Sequence, residues 1–252
     1  MLVDTHCHLD QLGDPERVLR EAAAAGVARL VAVSEAPESM AAVLALQRRW
    51  PAQICAGLGL HPVWVTQSDD GQVAAALAWL DEHLPEAFLL GEVGLDHKWA
   101  VSAAQQERQR RVLDELLAVA ARHRRPVALH SRRCPRQVME RAIRFHQDHG
   151  LPVQLHWFTH SSKLVRTCNE AGIFVSVGPT VIDHAPTQAV ARTIADHLLL
   201  LETDAPVPVR GQPGHPGHTR AVAAALARIR GCSLEALACL TTANAGRFLN
   251  LP

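Results

Sequence analysis

Eight short apolar runs recur along the chain, each of strand length and each followed by a helix-forming stretch. Repeated strand-then-helix units make a parallel sheet, because a parallel neighbour is reached only through a long crossover. Unbroken apolar runs mean strands covered on both faces. The expected strands are Leu2–Thr5, Arg29–Ser34, Gln53–Leu58, Ala87–Glu92, Val127–His130, Val153–His156, Ile173–Val177 and Leu198–Thr203. Helix signals lie between them. Asp14-Pro15-Glu16 opens a helix that closes at Gly26, and a second starts near Pro37 and ends before Pro51. Others cover Gln72–His83, run from Ser102 to Arg125-Pro126, and run from Pro135 to His149, where Gly150 stops them. The last fall at Ser162–Ala171, Pro186–His197 and on both sides of Gly231, the final one capped by Ser233. The expected fold is α/β, a (β/α)8 barrel spanning residues 1–252 without a dividing linker. A doubly wound open sheet is the alternative; no glycine-rich fingerprint follows the first strand, which counts against a dinucleotide fold.

Charge narrows the function. Twenty-five basic residues balance 25 acidic ones. A protein that grips long duplex DNA by its backbone carries a basic excess, so any nucleic-acid contact here is expected to be local, at a pocket. The six cysteines form no C-x-x-C pair, which counts against a thiolate zinc site. No secretory leader or membrane span is visible, and a reduced, cytoplasmic protein is expected.

In a (β/α)8 barrel the C-terminal ends of the strands meet at one mouth, whatever their separation in sequence. Here those ends carry His6 and His8, His61, Glu92, His130, His156 and Asp204. Residues i and i+2 of a strand share a side, so His6 and His8 face the same way. Histidine is the commonest metal ligand. One strand-end histidine is an ordinary polar residue; the same coincidence at six ends is not. Five imidazoles and two carboxylates exceed what one ion needs, so two divalent ions fit better. Glu92 would bridge them, with His6, His8 and Asp204 completing one site and His130 and His156 the other. Such ligands suit zinc, manganese or magnesium. His130-Ser131-Arg132-Arg133 places guanidinium groups beside a ligand, and Arg132 is the expected phosphate contact. Arg136 reads as a solvated helix start. Trp64, Trp99 and Trp157 follow strand ends, where a base can stack. Asp10 and Asp96 are candidates for orienting ligands, with a loop turn the alternative for either.

The ordered motifs Asp4-Thr5-His6-Cys7-His8-Leu9, Gly59-Leu60-His61-Pro62, Gly91-Glu92-Val93-Gly94-Leu95-Asp96, His130-Ser131-Arg132, His156-Trp157-Phe158-Thr159 and Glu202-Thr203-Asp204-Ala205-Pro206 resemble the TatD family of metal-dependent deoxyribonucleases. The resemblance covers essentially the whole chain. It implies an amidohydrolase-like barrel, two divalent ions, and hydrolysis of DNA phosphodiesters, often from a 3′ end. Family ligands fall on His6, His8, Glu92, His130, His156 and Asp204. His61 falls on a catalytic or phosphate-binding position and Arg132 on a substrate-contacting one. The loop after the eighth strand departs from the family: Arg210-Gly211 survives, leaving Arg210 as a candidate substrate contact, while the Asn-Glu pair is gone. Arg133-Cys134 replaces Asp-Ala, and His160 replaces glycine. Ser131-Arg132-Arg133, His156-Trp157-Phe158 and Ser176-Val177-Gly178-Pro179 resemble the TatD-type nucleases of Qat anti-phage operons, which implies work beside other operon products.

The expected activity is therefore metal-dependent deoxyribonuclease, with Glu92, Asp204 and His61 in the chemistry. Asp204 would take a proton from water, and His61 would protonate the leaving oxygen or hold the phosphate. Related barrels also cleave amides and esters, including aminoacyl esters of tRNA, so a different bond is one rival. A DNA- or partner-binding subunit of a defence complex is the other.

Overall fold

The computed structural model describes residues 1–209 and 211–251. Eight parallel strands follow one another in sequence order around the sheet: β1 Leu2–Cys7, β2 Val27–Val33, β3 Ile54–Leu58, β4 Leu89–Asp96, β5 Val127–Arg132, β6 Val153–Leu155, β7 Phe174–Val177 and β8 Leu199–Leu201. The order 1 to 8 with right-sized crossovers is that of the (β/α)8 barrel. At the β1–β8 seam, Asp204 N donates to His6 O (2.9 Å) and His8 N to Ala205 O (2.7 Å). Side chains finish the closure: Thr203 donates from N (3.1 Å) and Oγ1 (2.5 Å) to the Asp4 carboxylate, and Thr5 Oγ1 donates to Leu201 O (2.9 Å).

Around the sheet lie α1 Pro15–Ala24, α2 Pro37–Arg49, α3 Pro62–Gln67, α4 Asp70–His83, α5 Ala103–Arg122, α6 Pro135–His149, α7 Ser162–Glu170, α8 Ala185–Ala191, α9 Thr219–Arg230 and α10 Leu234–Phe248. The start signals work as expected: Asp14 caps α1, and Ser102 and Gln105 form the capping box of α5. Among the helices, two differ from expectation. A short helix, α3, precedes α4; His61-Pro62 starts it, with proline in the first turn where its missing N–H costs nothing. The helix expected over Pro186–His197 stops at Ala191, and Asp196–Leu198 forms a separate 3-10 turn.

Alternation sorts the strand residues. Along β2, Leu30 and Ala32 pack with the helices, whereas Val31 and Val33 join an inner cluster with Cys55, Leu89 and Ala128. Phe248 and Leu249, at the end of α10, belong to that inner cluster, so α10 plugs the N-terminal end of the barrel. Buried Asn244 anchors it, donating from Nδ2 to Asp196 O and Leu199 O, each at 2.7 Å. Asn244→Ala removes both bonds and strands the buried Leu199 carbonyl; it is expected to cost about 2 kcal/mol, lowering Tm by about 4–8 °C in a thermal melt. The opposite end of the barrel interior is polar, and the site lies there.

Candidate metal centre

Glu92 stands near the middle of β4 rather than at its end, 2 % exposed. Two glycines let neighbouring backbone close around it. A Cβ on Gly59 would lie 2.5 Å from Glu92 O, and one on Gly94 would collide with His130 O. The carboxylate is thus fixed on the barrel axis, and its two oxygens face different partners. Oε2 lies 3.3 Å from His6 Nε2 and 3.5 Å from His8 Nε2. Oε1 lies 2.7 Å from His130 Nδ1, 2.8 Å from His156 Nε2 and 3.7 Å from His61 Nε2. Asp204 Oδ1 joins the first group, 3.3 Å from His8 Nε2 and 3.7 Å from His6 Nε2. Asp204 has φ +53°, a left-handed conformation that aspartate tolerates better than most residues.

The structure therefore brings together all six residues expected as ligands, with His61 beside them. Ligand-type atoms of His6, His8 and Glu92 lie within 4.8 Å of one another, as do those of His61, Glu92 and His130. Two atoms that face the cluster are buried without a hydrogen bond, His6 Nε2 and Glu92 Oε2. Buried acceptors left unpaired are costly, and a cation that takes their lone pairs removes that cost. The donor set of imidazoles and carboxylates fits a divalent ion.

Electrostatics point the same way. Burial would raise the Glu92 carboxyl, yet the imidazoles of His156, His61, His6 and His130 hold it well below the usual carboxylate range. Burial would lower His8, but Asp204 and Glu92 lift it to about 9. Burial likewise opposes His156, which Glu92 and Glu202 drive well above the ordinary histidine value. The carboxylates hold positive charge in the imidazoles, charge that a bound cation would supply instead by displacing protons.

His61 behaves differently. Burial, reinforced by neighbouring His130 and opposed by Glu92, pulls it down to about 4, so it is neutral at ordinary pH. Its Nδ1 accepts from Val63 N (3.1 Å) at the start of α3, which assigns the proton to Nε2. His61 thus presents an N–H toward the cluster.

Behind the cluster stand two carboxylates. Asp96 Oδ2 lies 3.4 Å from His130 Nε2, and its Oδ1 accepts from Lys98 N (2.8 Å) and Trp99 N (3.3 Å). Asp96 both orients a candidate ligand and makes the turn. Glu202, fully buried, lies 3.8 Å from His156 Nδ1 and accepts from Ser176 Oγ at 2.6 Å. Sequence reasoning passed over Glu202 as a site residue; its signal was the period-two alternation that puts it on the side of inward-facing Leu200, one residue past the end of β8. Asp10 makes no hydrogen bond to His6 or His8 among the described residues; it sits in a 3-10 turn after β1, the loop-turn alternative rather than the orienting one. Arg132 is exposed at the end of β5 and lines the mouth. Among the described residues no carboxylate pairs with its guanidinium. Arg136 is exposed in the first turn of α6, as a solvated helix start should be. Trp64 packs against the core, whereas Trp99 and Trp157 line cavities at the mouth. Arg210 lies outside the described residues. No helix among them is long and apolar enough to cross a membrane.

A larger cavity, about 1110 Å3, opens at the other end of the barrel beside α10, lined by Met1, Arg29, Thr242 and Arg247 among others. It holds no cluster of ligand-type side chains, and that end of a (β/α)8 barrel serves stability.

Comparison with known proteins agrees with the geometry. The family model described as TatD related DNase matches residues 3–250. An Escherichia coli protein named uncharacterized metal-dependent hydrolase YjjV is 33 % identical, over 99 % of this chain and 98 % of its own. Its crystal structure, described as a TatD homolog, superposes with a TM-score of 0.88 at 30 % identity, covering 100 % of this chain and 98 % of that one. Human deoxyribonuclease TATDN3 is 32 % identical, over 97 % of this chain and 93 % of its own. With the barrel, the ligand cluster and near full-length similarity in agreement, this chain belongs to the TatD family of metal-dependent hydrolases.

Proposed function

We propose that this protein hydrolyses phosphodiester bonds in DNA, from a 3′ end, with two divalent ions at the mouth of the barrel. The observation that carries the reading is the division of the Glu92 carboxylate, one oxygen toward His6 and His8 and the other toward His130 and His156. One oxygen to each ion is the bridging geometry of a two-ion site. His6, His8 and Asp204 would complete one site, and His130 and His156 the other. The ions, when bound, supply Lewis-acid activation of the phosphodiester and of the attacking water.

The chain's own residues do the rest. Asp204, held below the usual carboxylate range by His8 despite burial, is ionised and accepts the water's proton. His61 offers its Nε2–H to a phosphate oxygen. A neutral imidazole is a hydrogen-bond donor but a poor proton source, which favours holding phosphate over protonating the leaving oxygen. Arg132 grips a phosphate from the rim. Half-exposed Trp99 and Val207 give the bases apolar surface there. The Qat-like rim motifs extend the reading to phage DNA, handled beside other operon products.

Digestion of 3′- and 5′-labelled single- and double-stranded DNA across a titration of Mg, Mn and Zn tests this reading. Stepwise shortening from the 3′ end is expected; cleavage of esters or amides with no DNA cut under any metal would refute it. Arg132→Ala is expected to lower kcat/KM on DNA by about 30-fold, the loss of one charge-assisted hydrogen bond, while changing turnover of an activated carboxyl ester by less than about threefold. Equal losses on both substrates would count against phosphate recognition.

A further inference from the structure

The mouth above Glu92 is two cavities. The first, about 330 Å3, has Gln11, Glu35, His61 and Trp99 in its walls. The second, about 310 Å3, has Ser131, Trp157 and His160. Both share His130, Arg132, Asp204 and Val207, so the cluster is their common floor and Arg132 with Val207 their divide. Each has the volume of a small-ligand site.

The two lobes differ in charge. Half-buried Glu35 stands in the wall of the first, its Oε2 accepting from Gln11 Nε2 at 2.6 Å. Nothing among the described residues hydrogen-bonds its Oε1. The second lobe has no carboxylate besides the shared Asp204. Its wall is the Trp157 indole, whose Nε1 donates to Thr180 Oγ1 (3.2 Å) and which backs onto Gly178, where a Cβ would sit 3.4 Å from the ring.

A phosphodiester seated on the cluster leaves one nucleoside on each side. At an internal position both nucleosides carry further phosphates; at a strand end only one does. A carboxylate repels phosphate but accepts a hydrogen bond from a hydroxyl. We propose that the Glu35 lobe is a terminal-hydroxyl subsite. It takes the last nucleoside of a DNA strand, Glu35 held by Gln11 accepts from the free hydroxyl, and the same charge rejects a phosphorylated or continuing end. The Trp157 lobe then stacks the nucleoside from which the strand continues. This inference rests on the phosphodiesterase reading above, and it makes end-directed cleavage a consequence of one carboxylate.

Four oligonucleotides of one sequence, with hydroxyl or phosphate at the 3′ end and at the 5′ end, test it. At the end attacked, the wild-type protein is expected to release nucleotides from the hydroxyl form at least about tenfold faster than from the phosphate form, the effect of about 1.4 kcal/mol of discrimination. Glu35→Gln should bring that ratio below about threefold, and Glu35→Asp, which keeps the charge, should largely retain it. Gln11→Lys, which neutralises Glu35 from an exposed position, should narrow the ratio independently of any effect of Glu35 on folding. A wild-type ratio near one, or an unchanged ratio in both Glu35→Gln and Gln11→Lys, overturns the subsite while leaving the nuclease reading in place. A wild-type protein that cuts none of the four overturns both.

Discussion

Replacing Glu92 with alanine is expected to abolish DNA cleavage, with a fall of at least about 10^3 in kcat, and to empty both metal sites. The size follows from the position of the side chain. Its oxygens lie between 2.7 and 3.7 Å from all five imidazoles of the cluster, so its carboxylate faces both ligand groups at once. Without it, His130 and His156 lose the carboxylate that faces both, and His6 and His8 keep only Asp204. Three or four ligands to an ion become two or three, and the shared anion that screens one ion from the other is gone. Glu92→Gln keeps the shape and removes the charge; it should weaken metal binding less than alanine while still costing most of the activity. Metal content after gel filtration and single-turnover cleavage of a labelled oligonucleotide check both. A Glu92→Ala protein that retains cleavage would remove the bridging role.

Stripping the protein with a chelator should cost both activity and stability. His6 Nε2 and Glu92 Oε2, buried without hydrogen bonds, would be satisfied by cation binding, so the ions stabilise the fold as well as the transition state. At a metal concentration about a thousandfold above Kd the linkage is about 4 kcal/mol per ion, and removal is expected to lower Tm by about 8–16 °C for each ion lost. Activity should return on adding metal and reach its plateau at two equivalents per chain. A plateau at one equivalent would favour a single ion with His130 and His156 in another role. The binding must also release protons, because the cluster holds His8 and His156 protonated above their ordinary values in competition with the cation. Proton release on loading, read in a weakly buffered titration, separates binding at this cluster from binding to surface carboxylates.

Much of the site was legible because barrel geometry converts a one-dimensional pattern into a meeting point. Strand periodicity alone places His6 and His8 on one side, and the alternation of strands and helices sends His130, His156 and Asp204 to the same mouth. Glu92 was found for an incomplete reason. Its apolar run ends there, so it reads as a strand terminus, yet β4 continues to Asp96 because Gly94 and Asp96 pair with His130 and Arg132 of β5. That pairing is non-local and leaves no periodic mark. The short helix α3 was hidden for a related reason: its six residues are too few to show an amphipathic period, although Pro62 announced the start.

What the amino-acid sequence determined by itself is the order of elements, the barrel, and which side chains can meet, because strand and helix periods and cap residues are local properties of the backbone. What only the tertiary structure decided is how those side chains divide the work. The split of Glu92's oxygens, the His61 proton set by Val63 N, Glu202 behind His156, and the partition of the mouth by Arg132 and Val207 all depend on distances of a few ångströms between segments far apart in the chain. Packing sets such distances, and no pattern within one segment encodes them.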